Sequence, residues 1–280
     1  MFDSMEPRRF YDEEADWEWG RRRGSFLSEI AFEGTFEYLH EFFPDDGLVL
    51  DAGGGPGRYS IRLAERGNSP VLLDVSRTQL RTGREKITEH DVADRVRTVQ
   101  GDLRGLPFDD DTFDGVCCLG GALSHILDAD GRAAALDELR RVATPGSPIV
   151  VSVFGRLANL EIILREGNLE TTYPLLLPEA RSGDYTRELA MQTYDEPDWT
   201  ECHYYRLAEL EAEFEQADLW VERTAGFNGI CTMLGVDFET HEKEVRETVR
   251  ELLRELREDR TVVDISREMF AVARVPSNSR

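Results

Sequence analysis

Between Val49 and Arg58 the chain reads Val-Leu-Asp-Ala-Gly-Gly-Gly-Pro-Gly-Arg, placing Asp51, Gly53, Gly55 and Gly57 in a D-x-G-x-G-x-G spacing. Glycine accepts positive φ and, lacking a Cβ, lets backbone N–H groups come close to a ligand, so a strand, glycine turn and helix in this order make a cofactor cradle. Two classes of cofactor use such a turn. A dinucleotide fingerprint GxGxxG begun at Gly53 requires a small residue where Arg58 stands, because its third glycine lets helix and strand pack tightly. Arg58 therefore argues against a nicotinamide or flavin. Two acids follow at the ends of strand-like runs, Asp74 after Val71-Leu72-Leu73 and Asp102 after Gly101. A carboxylate so placed either accepts hydrogen bonds from a ligand or caps the next helix.

The elements that must carry these residues alternate. Leu48–Asp51, Val71–Asp74, Val96–Val99, Gly115–Leu119 and Ile149–Phe154 read as strands, and Arg58–Arg66 and Asp130–Val142 as helices. A third helix follows Ser76, with Ser76 and Gln79 spaced as a capping box. Strands alternating with helices predict βαβ units and a parallel sheet, and the continuous apolar run at Ile149–Phe154 predicts a sheet covered on both faces. From Gly155 to Tyr205 the pattern breaks into an insertion holding Tyr173-Pro174-Leu175-Leu176-Leu177-Pro178 and the aromatic stretch Trp199–Tyr205. Long segments of this kind serve as lids or binding loops. Afterwards Leu207, Leu210, Phe214 and Ala217 mark a helix, Leu219–Thr224 a sixth strand, Val245 to Leu256 an amphipathic helix, and Phe270–Val275 a last strand.

The glycine spacing resembles motif I of class I S-adenosylmethionine-dependent methyltransferases, and the ordered series around it strengthens the likeness: Asp74, Asp102, Leu106-Pro107-Phe108, Phe113-Asp114-Gly115 and Thr144-Pro145-Gly146. The resemblance covers Leu48 to Phe154. It implies a Rossmann-like, doubly wound, seven-stranded sheet, mostly parallel with the last strand antiparallel. It implies S-adenosylmethionine as cofactor, held by Asp51, Gly53, Gly55 and Gly57, with Asp74 and neighbouring Val75 at the ribose and Asp102 at the adenine amine. In the same way the Leu103 backbone N–H meets an adenine ring nitrogen, and Leu119 and Gly120 open the segment to Ile126 that borders the transferring methyl. Phe10-Tyr11-Asp12-Glu13-Glu14-Ala15 and Trp199-Thr200 also resemble the small-molecule, quinone-methylase-like group. The implied organisation is an N-terminal helical lid over 1–47, a cofactor-binding core over 48–155, an insertion over the substrate pocket at 156–205, and the rest of the same α/β domain at 206–280.

Two histidines are candidates for proton transfer, since imidazole titrates near pH 6.5. His125 reads either as a general base or as a helix-start residue bonded to backbone. His203 stands among Cys202, Tyr204 and Tyr205, where rings more often shape a pocket. Tyr11, Trp17 and Trp19 read as a lid over the cofactor or as packing on the sheet, and Tyr204 as part of a substrate lid. Arg22 or Arg23 either meets the cofactor carboxylate or neutralises the acids from Asp12 to Glu18.

Composition narrows the field. The 280 residues carry 56 Asp and Glu against 33 Lys and Arg, a net charge of −23, and every basic residue but Lys86 and Lys243 is arginine. That excludes a basic nucleic-acid footprint over the whole chain. The Asn- or Asp-Pro-Pro-aromatic motif of DNA amino-methylating enzymes is also absent after strand four. Dense carboxylates with little lysine resemble proteins of salt-loving archaea, where they keep a surface hydrated in concentrated salt. Cys117, Cys118, Cys202 and Cys231 have no CxxC spacing and imply neither a disulfide framework nor a metal site. No apolar run spans a membrane and MFDSMEPRRF lacks a signal segment, so a cytoplasmic monomer or homodimer with a small-molecule acceptor is expected. The rival expectation is a non-catalytic cofactor-binding partner or sensor, which would lack an acceptor pocket beneath the insertion.

Overall fold

The computed structural model describes residues 5–13, 18–20, 25–195, 197, 199–231 and 238–277. Five strands run parallel: β1 (Leu48–Ala52), β2 (Ser69–Asp74), β3 (Arg97–Gln100), β4 (Gly115–Cys118) and β5 (Pro148–Phe154). With β8 (Trp220–Gly226) and β9 (Glu268–Arg274) they form one seven-stranded sheet in the order β3-β2-β1-β4-β5-β9-β8. β9 is antiparallel to both neighbours, as the resemblance implies. A separate hairpin pairs β6 (Asp184–Tyr185) with β7 (Cys202–His203).

Helices cover both faces because each carries one apolar stripe. On one face α2 (Phe26–Phe42) lays Tyr38 and Leu39 against Val49, Val150, Phe270 and Val272, and α3 (Arg58–Arg66) adds Tyr59 and Leu63. On the other, α5 (Ala129–Val142) and α9 (Leu207–Gln216) bury Leu136, Leu139, Leu210 and Phe214 against Leu50, Val116, Val151 and Ala271. Each such side chain contributes roughly 1.5–3 kcal/mol by leaving water. α4 (Arg77–Glu89) starts at Ser76, whose hydroxyl accepts the Gln79 N–H at 3.1 Å. Only that half of the expected capping box forms. The Gln79 side chain donates instead to the Tyr11 carbonyl at 2.8 Å, tying α1 (Pro7–Glu13) to α4.

β2 begins two residues earlier than expected, since Pro70 reads as a breaker yet pairs with Val49. β8 and β9 likewise extend to Gly226 and start from Glu268. The larger difference is the insertion. It contains α6 (Arg156–Glu166), α7 (Leu169–Ser182) and α8 (Arg187–Thr193) around the small hairpin. Pro174 and Pro178 lie inside α7, where proline usually breaks a helix. Tertiary contacts hold it: Leu175 is buried, and the Asn159 side chain on α6 donates to Glu179 Oε2 at 2.6 Å. Among the described residues no helix is long and apolar enough to cross a membrane.

Candidate active site

At the carboxyl ends of β1 to β4 a cleft of about 450 Å³ opens, where open α/β sheets bind ligands. The glycine turn forms its floor. Gly53 and Gly55 hold φ of 71° and 54°, a left-handed backbone that glycine adopts without strain, and a Cβ on Gly53 would lie 2.6 Å from Ala122 Cβ. The N–H groups of Gly53 and Gly54 donate to the Leu73 carbonyl at 2.7 and 3.1 Å, anchoring the turn to β2.

Asp74 lies in the cleft wall beside Val75. Its Oδ2 accepts the Gly55 N–H and its Oδ1 the Ser76 N–H, both at 2.8 Å, and burial pushes the carboxyl up to about 6. These contacts fix the carboxylate while leaving each oxygen room for a further donor. Asp102 also lines the cleft, but Arg104 clamps it through Nε at 2.9 Å and Nη2 at 2.7 Å. That pairing, more than its partial burial, holds the carboxyl below the usual range. Leu103, Leu119 and Gly120 complete this side. Gln79 Oε1 is buried at the cleft and has no hydrogen-bond partner among the described residues. Two carboxylates and one orphaned carbonyl acceptor make a wall that suits the hydroxyls and amines of a nucleoside.

His125 closes a short 3-10 turn, Leu123–His125, at the cleft margin. Its Nδ1 lies 3.2 Å from the Glu201 carbonyl, which can only accept, so Nδ1 carries a proton, and in the neutral ring Nε2 accepts the Tyr11 hydroxyl at 2.9 Å. The contact to a backbone carbonyl is the one expected of a helix-start residue, while the other ring nitrogen is engaged by Tyr11. Tyr11 and His125 belong to a wall of rings with Phe154 and Trp199, at centroid distances of 5.3 Å for Tyr11–His125, 5.5 Å for His125–Phe154 and 6.1 Å for Phe154–Trp199. Behind that wall, beneath the insertion, lies a second cavity of about 590 Å³.

Residues 49–146 match a family model described as "Methyltransferase domain". Over those residues the chain is similar to that family. The ubiquinone/menaquinone biosynthesis C-methyltransferase of Idiomarina loihiensis is 36% identical over 112 residues, 39% of this chain and 43% of that protein. The demethylmenaquinone methyltransferase of Clavibacter sepedonicus is 39% identical over 106 residues, 38% of this chain and 40% of that protein. The chain thus spans less than half the length of these relatives. Among solved structures, a SAM-dependent methyltransferase from Methanosarcina mazei superposes with a TM-score of 0.60 at 16% identity, over 86% of this chain and 98% of that one. A putative methyltransferase in complex with the Haloferax volcanii activator Trm112 gives 0.57 at 18% identity, over 96% and 98%. Both have the same fold.

Within the matched region, two expected cofactor residues stand off the cleft. Asp51 is fully buried and accepts from the Ser60 N–H at 3.1 Å and the Ser60 hydroxyl at 2.7 Å, so it braces the start of α3 beneath the turn. Gly57 is the left-handed residue that opens α3, with Leu72 where a Cβ would go. His203 is a correction: it is buried away from both cavities, 2.6 Å from Asp184 Oδ1 and 3.2 Å from Glu209 Oε1. Burial would depress its pKa, but those carboxylates raise it. It locks the hairpin to α9. Tyr204 lines the second cavity, and Trp19 packs on α4 beside Lys86. Trp17, Arg22 and Arg23 lie outside the described residues. Sequence reasoning missed Gln79 as a cleft residue because its capping-box spacing accounted for it.

Proposed function

We propose that this protein transfers a methyl group from S-adenosylmethionine, bound in the cleft of the methyltransferase domain, to a small ring-bearing acceptor held beneath the insertion. The cavity of about 590 Å³ carries this reading, because a non-catalytic cofactor-binding protein has no use for an open chamber there. Its lining includes Phe154, Tyr185, Tyr194, Trp199 and Tyr204, surfaces that pack against a flat ring. The named relatives act in quinone biosynthesis, but the matched domain stops at residue 146, before the insertion. The acceptor is therefore argued from this lining.

The cofactor, when bound, supplies a methyl already activated on a sulfonium, so the protein's work is alignment and exclusion of water. Asp74 accepts the ribose hydroxyls and Gln79 Oε1 offers a further acceptor. Asp102 receives the adenine amine by sharing its carboxylate with Arg104. Tyr11 and α1 close the cleft, with α1 docked through Gln79 and through Asp12, which accepts the Ser76 hydroxyl at 2.5 Å. The rings between the chambers must part for the reacting atoms to align. His125, already a hydrogen-bond acceptor at Nε2, orients Tyr11 in that wall.

Calorimetric titration with S-adenosylmethionine, S-adenosylhomocysteine and NAD in concentrated KCl tests the proposal. Micromolar binding of the first two alone is expected. Binding of NAD without them overturns it.

A further inference from the structure

The cavity beneath the insertion contains a carboxyl whose hydrogen bonding is only half complete. Glu179 of α7 is 1% exposed and lines that cavity. Its Oε2 accepts the Asn159 side chain of α6 at 2.6 Å, which accounts for its part in bracing the two helices. Its Oε1 is buried and has no hydrogen-bond partner among the described residues. A carboxylate oxygen enclosed without a donor is costly, and burial pushes this carboxyl up to about 7. Asn228 Oδ1 is a second buried acceptor at the same cavity with no partner among the described residues. Both orphaned atoms call for donors.

The rest of the lining indicates which donor fits. Phe154, Tyr185, Tyr194, Trp199 and Tyr204 supply aromatic surface, which attracts cations as well as flat rings. Among the described residues the charged side chains at the cavity are Glu179, Glu268 and Arg267, and Arg267 is exposed to solvent. Glu268 already accepts the Ser152 hydroxyl at 2.5 Å. Tyrosine is uncharged at neutral pH, and Cys202, near Glu179, is pushed up to about 12 by burial and is uncharged as well. A neutral hydroxyl would complete the hydrogen bond but leave the enclosed charge unbalanced, whereas an ammonium group does both. Building on the function proposed above, we infer that the acceptor is a ring-bearing amine and that Glu179 selects it by pairing Oε1 with the protonated nitrogen. Asn228 Oδ1 offers that cation a second acceptor. Glu179 takes no proton in the methyl transfer; it anchors the acceptor's charged end on the insertion. Pairing with the cation favours the ionised carboxylate, so binding at neutral pH drives a proton from Glu179 to solvent.

The test uses the full chain with 2-phenylethylamine as the probe and 2-phenylethanol as its uncharged counterpart, titrated calorimetrically with S-adenosylhomocysteine present and beside separate cofactor titrations. Wild type should bind the amine roughly ten- to a hundredfold tighter than the alcohol, the scale of one hydrogen bond to a charged group. Glu179→Gln, which keeps the side chain's shape and an acceptor for Asn159, should bring the amine down to the alcohol's level. It should leave the affinities for the alcohol and for S-adenosylmethionine within about twofold of wild type. In wild type the amine's affinity should fall roughly tenfold from pH 8 to pH 6, as Glu179 takes up its proton around 7, while the alcohol's stays level. That profile needs no variant, so a Glu179→Gln chain that fails to fold leaves the test intact. A glutamate that only braces α6 against α7 predicts equal affinity for the two probes at every pH. Equal affinity, or a preference for the amine that survives in Glu179→Gln, overturns the inference. So does a wild type that binds cofactor but neither probe. Failure of the wild type to bind cofactor overturns the underlying reading instead.

Discussion

Asp74 and Asp102 occupy equivalent strand ends, yet their surroundings give them different expected weights. Asp74 is buried, held by two backbone N–H groups and raised to about 6, whereas Asp102 is half-exposed and shares its charge with Arg104. Asp74→Ala should weaken S-adenosylmethionine binding by roughly 1–3 kcal/mol, the range for losing a hydrogen bond to a charged group, and Asp102→Ala by less. The same raised value gives a pH dependence. The ionised carboxylate is the better acceptor for ribose hydroxyls, so cofactor affinity should fall as pH drops below about 6 in wild type. Calorimetry between pH 5 and 8 checks it, and a flat profile would remove Asp74 from the ribose site. For His125→Ala the expected outcome is a larger loss in turnover than in cofactor affinity, because the ring holds Tyr11 in the wall between the chambers. At this scale the cleft acids were legible, since a strand-end acid is visible in one dimension. Asp51 stands beneath the cleft rather than in its wall, a difference hidden in the sequence because a buried brace for Ser60 and a ligand contact look identical in a motif.

At the scale of elements, the hairpin β6–β7 shows what a buried histidine does when it is not catalytic. His203 joins Asp184 to Glu209 across two elements, with its own pKa raised and both carboxyls held low. A raised histidine stabilises the fold fully below its ordinary unfolded value, and that contribution is lost as pH rises through the raised one. The carboxyls act oppositely and lose theirs only as pH falls through their lowered values. His203→Ala should therefore lower the melting temperature most near pH 6 and progressively less at alkaline pH, with cofactor affinity unchanged. A shift in that affinity would return His203 to the active site. Strands β1, β4 and β5 and helix α3 were readable because local pattern and burial agree there. α7 was not, since Pro174 and Pro178 argue locally against a helix that packing on α6, α8 and the small hairpin sustains.

For the whole molecule the dominant fact is a net charge of −23. Many arginines offset it locally, as where Arg257 meets Glu37 at 2.5 Å and Arg206 meets Asp264 at 2.5 Å. These two pairs are half-buried, whereas the more exposed pairs are individually weak, so the remaining self-repulsion is expected to be screened by salt. The melting temperature should rise between dilute buffer and molar KCl, as followed by circular dichroism. An unchanged or falling value would show that the carboxylates are not an adaptation to salt.

The position of β9 sets a temporal order on the molecule. It fills the sheet between β5 and β8 although its residues, Glu268–Arg274, come late in the chain. During synthesis the whole 48–154 stretch has left the ribosome more than a hundred residues before that slot can be filled. Five of the seven strands, with the cofactor cleft already outlined, must wait with the flank of β5 unpaired. Glu268, which lines the second cavity, arrives on the same late strand, so completing the sheet and completing the wall of that chamber are a single event.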